Sequence, residues 1–196
     1  MLVLGHGAGA GQASPFMVRV ARGFADRGIT TATFDFPYIA ARRKVPDRTP
    51  VLEAAWRSAI DAAADRAGGV PLFIGGKSMG GRIASHVAAG DSGRPLAGLV
   101  FLGYPLHPPG RPQERRDAHL PRIAAPMLFV QGSRDPFGTA DEIRALLPAL
   151  RRATLHEVRD GDHSFKVPGG AQAIDGVLTS VMDDVAEWIG SVRNAR

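Results

Sequence analysis

Cysteine is missing from all 196 residues, which excludes disulfides, thiolate catalysis and thiolate metal sites together. Aromatic side chains are sparse, with two Trp, two Tyr and nine Phe, so aliphatic residues must supply most of any core. No apolar run approaches the roughly 20 residues needed to span a bilayer, and no membrane association is expected. The first residues lack the basic and apolar regions of an export signal, so a cytoplasmic location is the expectation. Acidic charge is also in deficit: 24 Lys and Arg face 19 Asp and Glu, for a net charge of +5 and a pI near 10.4. The arginines are scattered, apart from short clusters at Arg42-Arg43-Lys44 and between Arg111 and Arg116. That distribution reads as an arginine-rich surface, and no nucleic-acid partner is expected.

Hydrophobic residues at 44% and charged residues at 22% are those of a soluble globular chain, and the length suits a single domain, residues 1–196. Short apolar runs of strand length occur at Leu2 to Leu4, Thr31 to Phe36, Pro71 to Ile74, Leu99 to Leu102, Met127 to Val130 and Ala153 to Val158. Helical periodicity fills the gaps. Ser14-Pro15 and Thr49-Pro50 read as caps with first-turn prolines, Thr139 with Glu142 forms a capping box, and Ile174 to Trp188 repeats at helical spacing. This alternation predicts a three-layer α/β/α sandwich around a mostly parallel sheet of about six strands, with reactive groups in loops at the strands' carboxyl ends. The Pro-rich and Arg-rich stretch Leu106 to Pro126 reads as a surface excursion.

Gly76-Lys77-Ser78-Met79-Gly80 satisfies G-x-S-x-G between a strand and a helix, where glycines permit a sharp turn that presents a serine oxygen. Gly76-Lys77-Ser78 also resembles the end of a phosphate-binding loop, but Pro71 stands where that motif needs its first glycine. A serine hydroxyl needs a base, and the base needs an orienting acid. Asp135 follows the Met127 strand and His163 follows the Ala153 strand, giving the Ser, Asp, His order of this architecture. Asp162 is the rival acid. Gly5-His6-Gly7-Ala8-Gly9-Ala10-Gly11 follows the first strand. Gly5, Gly7 and Ala10, with Asp35 further on, fit a dinucleotide fingerprint loosely, whereas an oxyanion loop accounts for the same glycines with the Ala8 amide as donor and His6 as a structural residue. The Met79 amide, at a helix start, is the second donor. His107 and His119 stand in the 106–126 stretch without metal-ligand spacing, His86 and His156 read as satisfied or solvated side chains of a helix and a strand, and neither a metal nor a cofactor is needed.

These segments, together with Phe34-Asp35-Phe36-Pro37-Tyr38, Leu102-Gly103-Tyr104-Pro105 and Gln131 to Gly138, resemble a small, lidless, dienelactone-hydrolase-like branch of the α/β-hydrolases over nearly the whole chain. That branch includes a testis-expressed eukaryotic protein and a chromatin-complex subunit. The resemblance implies Ser78, Asp135 and His163 as a catalytic triad, with backbone amides of Ala8 and Met79 as the oxyanion hole. It also implies a hydrolase core lacking the N-terminal antiparallel strands of larger relatives, and a shallow, open site for a small acyl substrate. Dienelactone hydrolases proper use a cysteine, so their substrate does not carry over. Tyr38 and Tyr104, at strand ends on the loop-bearing face, are candidate pocket residues. The expected activity is hydrolysis of carboxylic esters or thioesters. Alternatives are a peptidase or acyltransferase with the same triad, or a catalytically silent scaffold.

Overall fold

The computed structural model describes residues 1–195. Six strands, β1 (Leu2–Gly5), β2 (Thr31–Phe34), β3 (Phe73–Lys77), β4 (Gly98–Leu102), β5 (Met127–Gly132) and β6 (Ala153–Val158), form one sheet in the order β2-β1-β3-β4-β5-β6. All five pairings are parallel. The helices are α1 (Pro15–Ala25), α2 (Pro37–Ala40), α3 (Thr49–Ala67), α4 (Met79–Ala89), α5 (Ala140–Leu146) and α6 (Gly170–Asn194). Among the described residues no helix is long and apolar enough to cross a membrane.

The inner strands β1, β4 and β5 are apolar on both faces because helices cover both, whereas the edge strands β2 and β6 carry Thr31, Thr33, His156 and Glu157. Leu2 and Leu4 of β1, with Val100 and Leu102 of β4, pack against Met17, Val20 and Phe24 of α1 and Val181, Val185 and Ile189 of α6. The alternate residues, Val3, Leu99 and Phe101, join Leu52, Trp56 and Ile60 of α3, Ile83 and Val87 of α4 and Ile143 of α5. Each fully buried Leu, Ile or Phe contributes about 1.5–3 kcal/mol from area removed from water, so the two-unit period of the strands feeds both layers. The chain leaves β1 toward β2 at the sheet edge and returns to β3 on the other side of β1, with Gly5 beside Gly76. Loops from β1 and β3 therefore part at this point, which opens a crevice at the strands' carboxyl ends.

Several boundaries differ from the sequence expectation for identifiable reasons. The β2 strand stops at Phe34 because Pro37 initiates α2, a single turn. The β3 strand begins at Phe73, since Pro71 has no N–H to give; the Pro71 carbonyl instead accepts from the Met1 amino group at 2.8 Å. Arg48, not Thr49, occupies the cap position of α3. The Thr139–Glu142 capping box is present. The 106–126 segment is pinned rather than loose: Leu106, Leu120 and Ile123 are buried, and the Tyr104 hydroxyl donates to the Arg116 carbonyl at 2.7 Å.

Candidate active site

Ser78 stands on the turn between β3 and α4 with φ 49° and ψ −116°, a conformation that costs a non-glycine residue about 1–3 kcal/mol. The turn is held by close packing. A side-chain carbon on Gly76 or on Gly80 would come within 2.1 Å of the Gly5 carbonyl oxygen, so β1 can lie this close to the turn only with glycine at both positions. Beneath it, the Trp56 indole N–H donates to the Gly80 carbonyl at 3.0 Å, which locks α3 to the start of α4.

His163 and Asp135 reach the same point from the loops after β6 and β5. The His163 Nε2 lies 2.9 Å from the Ser78 Oγ, and its Nδ1 lies 2.7 Å from the Asp135 Oδ2. Asp135 is 1% exposed. Its Oδ1 accepts from the Phe137 amide at 2.8 Å and its Oδ2 from the Gln131 side-chain amide at 2.9 Å. A carboxylate that accepts on both oxygens is fixed in orientation, and so is the ring that donates to it. The Phe137 ring lies against the imidazole with centroids 4.3 Å apart. Asp162 serves elsewhere: its Oδ1 accepts from the Ser164 and Lys166 amides at 2.7 and 2.9 Å and shapes the turn that carries His163.

Two residues of this network escaped the sequence reading. Gln131 lies fully buried at the end of β5; its Oε1 accepts from the Tyr104 amide at 2.7 Å and its Nε2 donates to the Gly138 carbonyl at 2.6 Å as well as to Asp135. The available signal was a polar residue on an otherwise apolar strand, which must be satisfied to be tolerated. Lys77 sends its ammonium to the His163 carbonyl and lies 5.9 and 5.8 Å from the Phe16 and Phe165 ring centroids. Burial is the main reason its pKa falls to about 8.

The glycine-rich loop after β1 is organised by His6, which is fully buried. Its Nε2 accepts from the Phe36 amide at 3.1 Å, which leaves the proton on Nδ1 to donate to the Gly7 carbonyl at 2.8 Å. Burial lowers the pKa of His6 and favours this neutral form. Asp35 is engaged by Gln12, whose amide and side chain donate at 2.7 and 3.2 Å, so it is not poised for a ribose. Ala8 and Met79 border a cleft of about 810 Å³ that contains Ser78 and His163.

Tyr38 and Tyr104 do not line that cleft. Both are buried, and their hydroxyls donate to the Ala8 and Arg116 carbonyls at 2.9 and 2.7 Å. Burial raises both phenol pKa values, that of Tyr38 to about 12. They brace loops around the site because strand-end aromatics here turn inward to the core rather than toward the rim.

A parallel sheet with a strained serine turn after its central strand, and partners after the two following edge-side strands, defines the α/β-hydrolase fold. The chain belongs to the alpha/beta hydrolase domain family, whose profile it matches over residues 1–190. Among solved structures, it resembles a dienelactone hydrolase from Anabaena variabilis at 24% identity and a TM-score of 0.73, covering 97% of this chain and 85% of that one. The esterase Est1E from Butyrivibrio proteoclasticus, solved with ferulic acid, matches at 16% identity and 0.69, covering 96% and 89%. A monoacylglycerol lipase from Paleococcus ferrophilus matches at 17% and 0.71, covering 97% and 94%.

Proposed function

We propose that this protein is a serine hydrolase that cleaves carboxylic esters or thioesters of small acyl substrates through an acyl-enzyme. The observation that carries this reading is the unbroken hydrogen-bonded line from Ser78 Oγ through His163 to Asp135, at 2.9 and 2.7 Å. His163 Nε2 takes the hydroxyl proton as Ser78 Oγ attacks the carbonyl carbon, and the carbonyl electron pair moves to oxygen. The amides of Ala8 and Met79 receive the oxyanion; Met79 opens α4, where N–H groups have no acceptor within the helix. Collapse of the intermediate expels the alcohol or thiol, which takes the proton from His163. Water then repeats the sequence, and Ser78 recovers its proton. The scheme requires no cofactor. A scaffold would have no use for the strained φ of Ser78, whereas a nucleophile held clear of the sheet does.

A p-nitrophenyl ester series from acetate to octanoate tests the reading. Turnover by the wild type should fall by about three orders of magnitude or more in both Ser78→Ala and His163→Ala. A cooperatively folded wild type as inactive as these variants on every ester would overturn it.

A further inference from the structure

Arg82 follows Ser78 by one turn of α4, its amide donating to the Ser78 carbonyl at 3.0 Å, and it lines the same cleft. Its Nε is buried without a hydrogen-bond partner among the described residues. Arg116 reaches the cleft from the 106–126 segment. Its neighbours on that segment have found acids: Arg111 pairs with Glu114 at 3.0 Å and Arg115 with Asp117 at 2.7 Å. Arg82 and Arg116 have none among the described residues. They lie close enough that Arg116, after burial, disfavours the charge on Arg82. Asp47, the acid that lines the cleft, accepts from Arg43 at 2.6 Å and forms no ion pair with either arginine. Its other oxygen is buried and unpartnered among the described residues, an acceptor for a hydroxyl in the same cleft.

Two partly buried guanidiniums of like charge, neither of them ion-paired among the described residues, raise the free energy of the empty site. An entering oxyanion would relieve both the repulsion and the missing hydrogen bonds. The cleft's other layer is different in kind, with Phe16, Met17, Ile174 and Leu178 from α1 and α6. Arg19 on that side is neutralised by Asp175, while Lys166 remains an exposed cation of the rim. Ser78 sits between a lobe lined mainly by apolar side chains, whose Lys77 ammonium is engaged by the His163 carbonyl, and a lobe that carries the two unpaired guanidiniums.

We propose that Arg82 and Arg116 form an oxyanion-binding subsite, and that the substrate carries an apolar chain on one side of the reacting carbonyl and a phosphate or carboxylate on the other. The subsite rests on the serine-hydrolase reading for its substrate, though not for its affinity. Matched pairs test it: 1-octanoylglycerol 3-phosphate against 1-octanoylglycerol, and octanoyl glycolate against its amide. The wild type should prefer one or both anionic members by about tenfold or more in kcat/KM, and the pair with the larger ratio identifies the anion. Arg82→Gln and Arg116→Gln should collapse that ratio, and Arg82→Lys should retain part of it because charge persists without the planar fork. A wild-type ratio of one or less in both pairs, or a ratio unmoved by both Gln variants, would overturn the subsite. Calorimetric titration of octyl phosphate into Ser78→Ala protein separates the two readings. Binding that weakens about tenfold on adding Arg82→Gln supports the subsite even if no ester is cleaved. Ester cleavage without octyl phosphate binding would overturn the subsite and leave the hydrolase standing.

Discussion

The two sides of Ser78 are built on opposite terms. Toward His163, every polar group is matched: Asp135 accepts on both oxygens, Gln131 satisfies three loops, and Lys77 donates to the His163 carbonyl. Toward α4 and the 106–126 segment, among the described residues Arg82 keeps a buried nitrogen with no partner, and Arg116 adds a second charge without an ion pair. A satisfied network fixes geometry and resists change, while an unsatisfied one stores free energy that a ligand can release. The serine is therefore held from one side and addressed from the other.

Substitutions should break this contrast in opposite directions. The largest effect is expected from Asp135→Asn, which retains shape but removes the charge that sets the His163 tautomer. It should lower kcat on p-nitrophenyl esters by about 10²- to 10⁴-fold with little change in melting temperature. Gln131→Leu should cost about 1–3 kcal/mol, because the Tyr104 amide and the Gly138 carbonyl lose buried partners. The measured sign would be a lower thermal midpoint together with a reduced kcat. On the other side of the serine the sign reverses: Arg116→Gln should stabilise the ligand-free protein by up to about 1 kcal/mol, seen as a higher thermal midpoint, by removing repulsion at Arg82. Thermal melts in low salt would check this, and a fall in midpoint would show that Arg116 is needed by the fold rather than by a ligand.

The smallest effect is a pH dependence. His119, bonded to the Ser85 hydroxyl at 2.7 Å, has its pKa lowered from 6.5 to about 4, by burial first and then by His86, Arg122 and Arg82. The unfolded chain takes up this proton near pH 6.5 and the folded chain only near 4, so stability declines as pH falls through that window. The contribution should be about 1 kcal/mol or less, given the partial exposure of the ring. His119→Gln should flatten the fall in denaturant midpoint between pH 6.5 and 4, and an unchanged slope would assign it to other groups.

That Ser78, His163 and Asp135 meet was legible because each lies in a short loop whose position is set by the strand before it, so order along the chain becomes order in space. The six strands and the capping box at Thr139 were legible for the same local reason. What was illegible depends on contacts between distant segments. The functions of Gln131 and Lys77 exist only once β5, β3 and the His163 loop are neighbours. Arg82 reads in sequence as one more surface arginine of a helix. Tyr38 and Tyr104 show the converse: their place at strand ends on the loop-bearing face makes them candidates for the pocket, yet inward packing against Phe36 and Phe101 claims their rings.

The most direct test of the account is covalent labelling by a fluorophosphonate, which requires an activated serine and no knowledge of the substrate. The wild type should gain one adduct, located at Ser78 by mass spectrometry, with none in Ser78→Ala and a rate reduced by orders of magnitude in His163→Ala. A folded wild type that stays unlabelled, or a label that persists in Ser78→Ala, would contradict it.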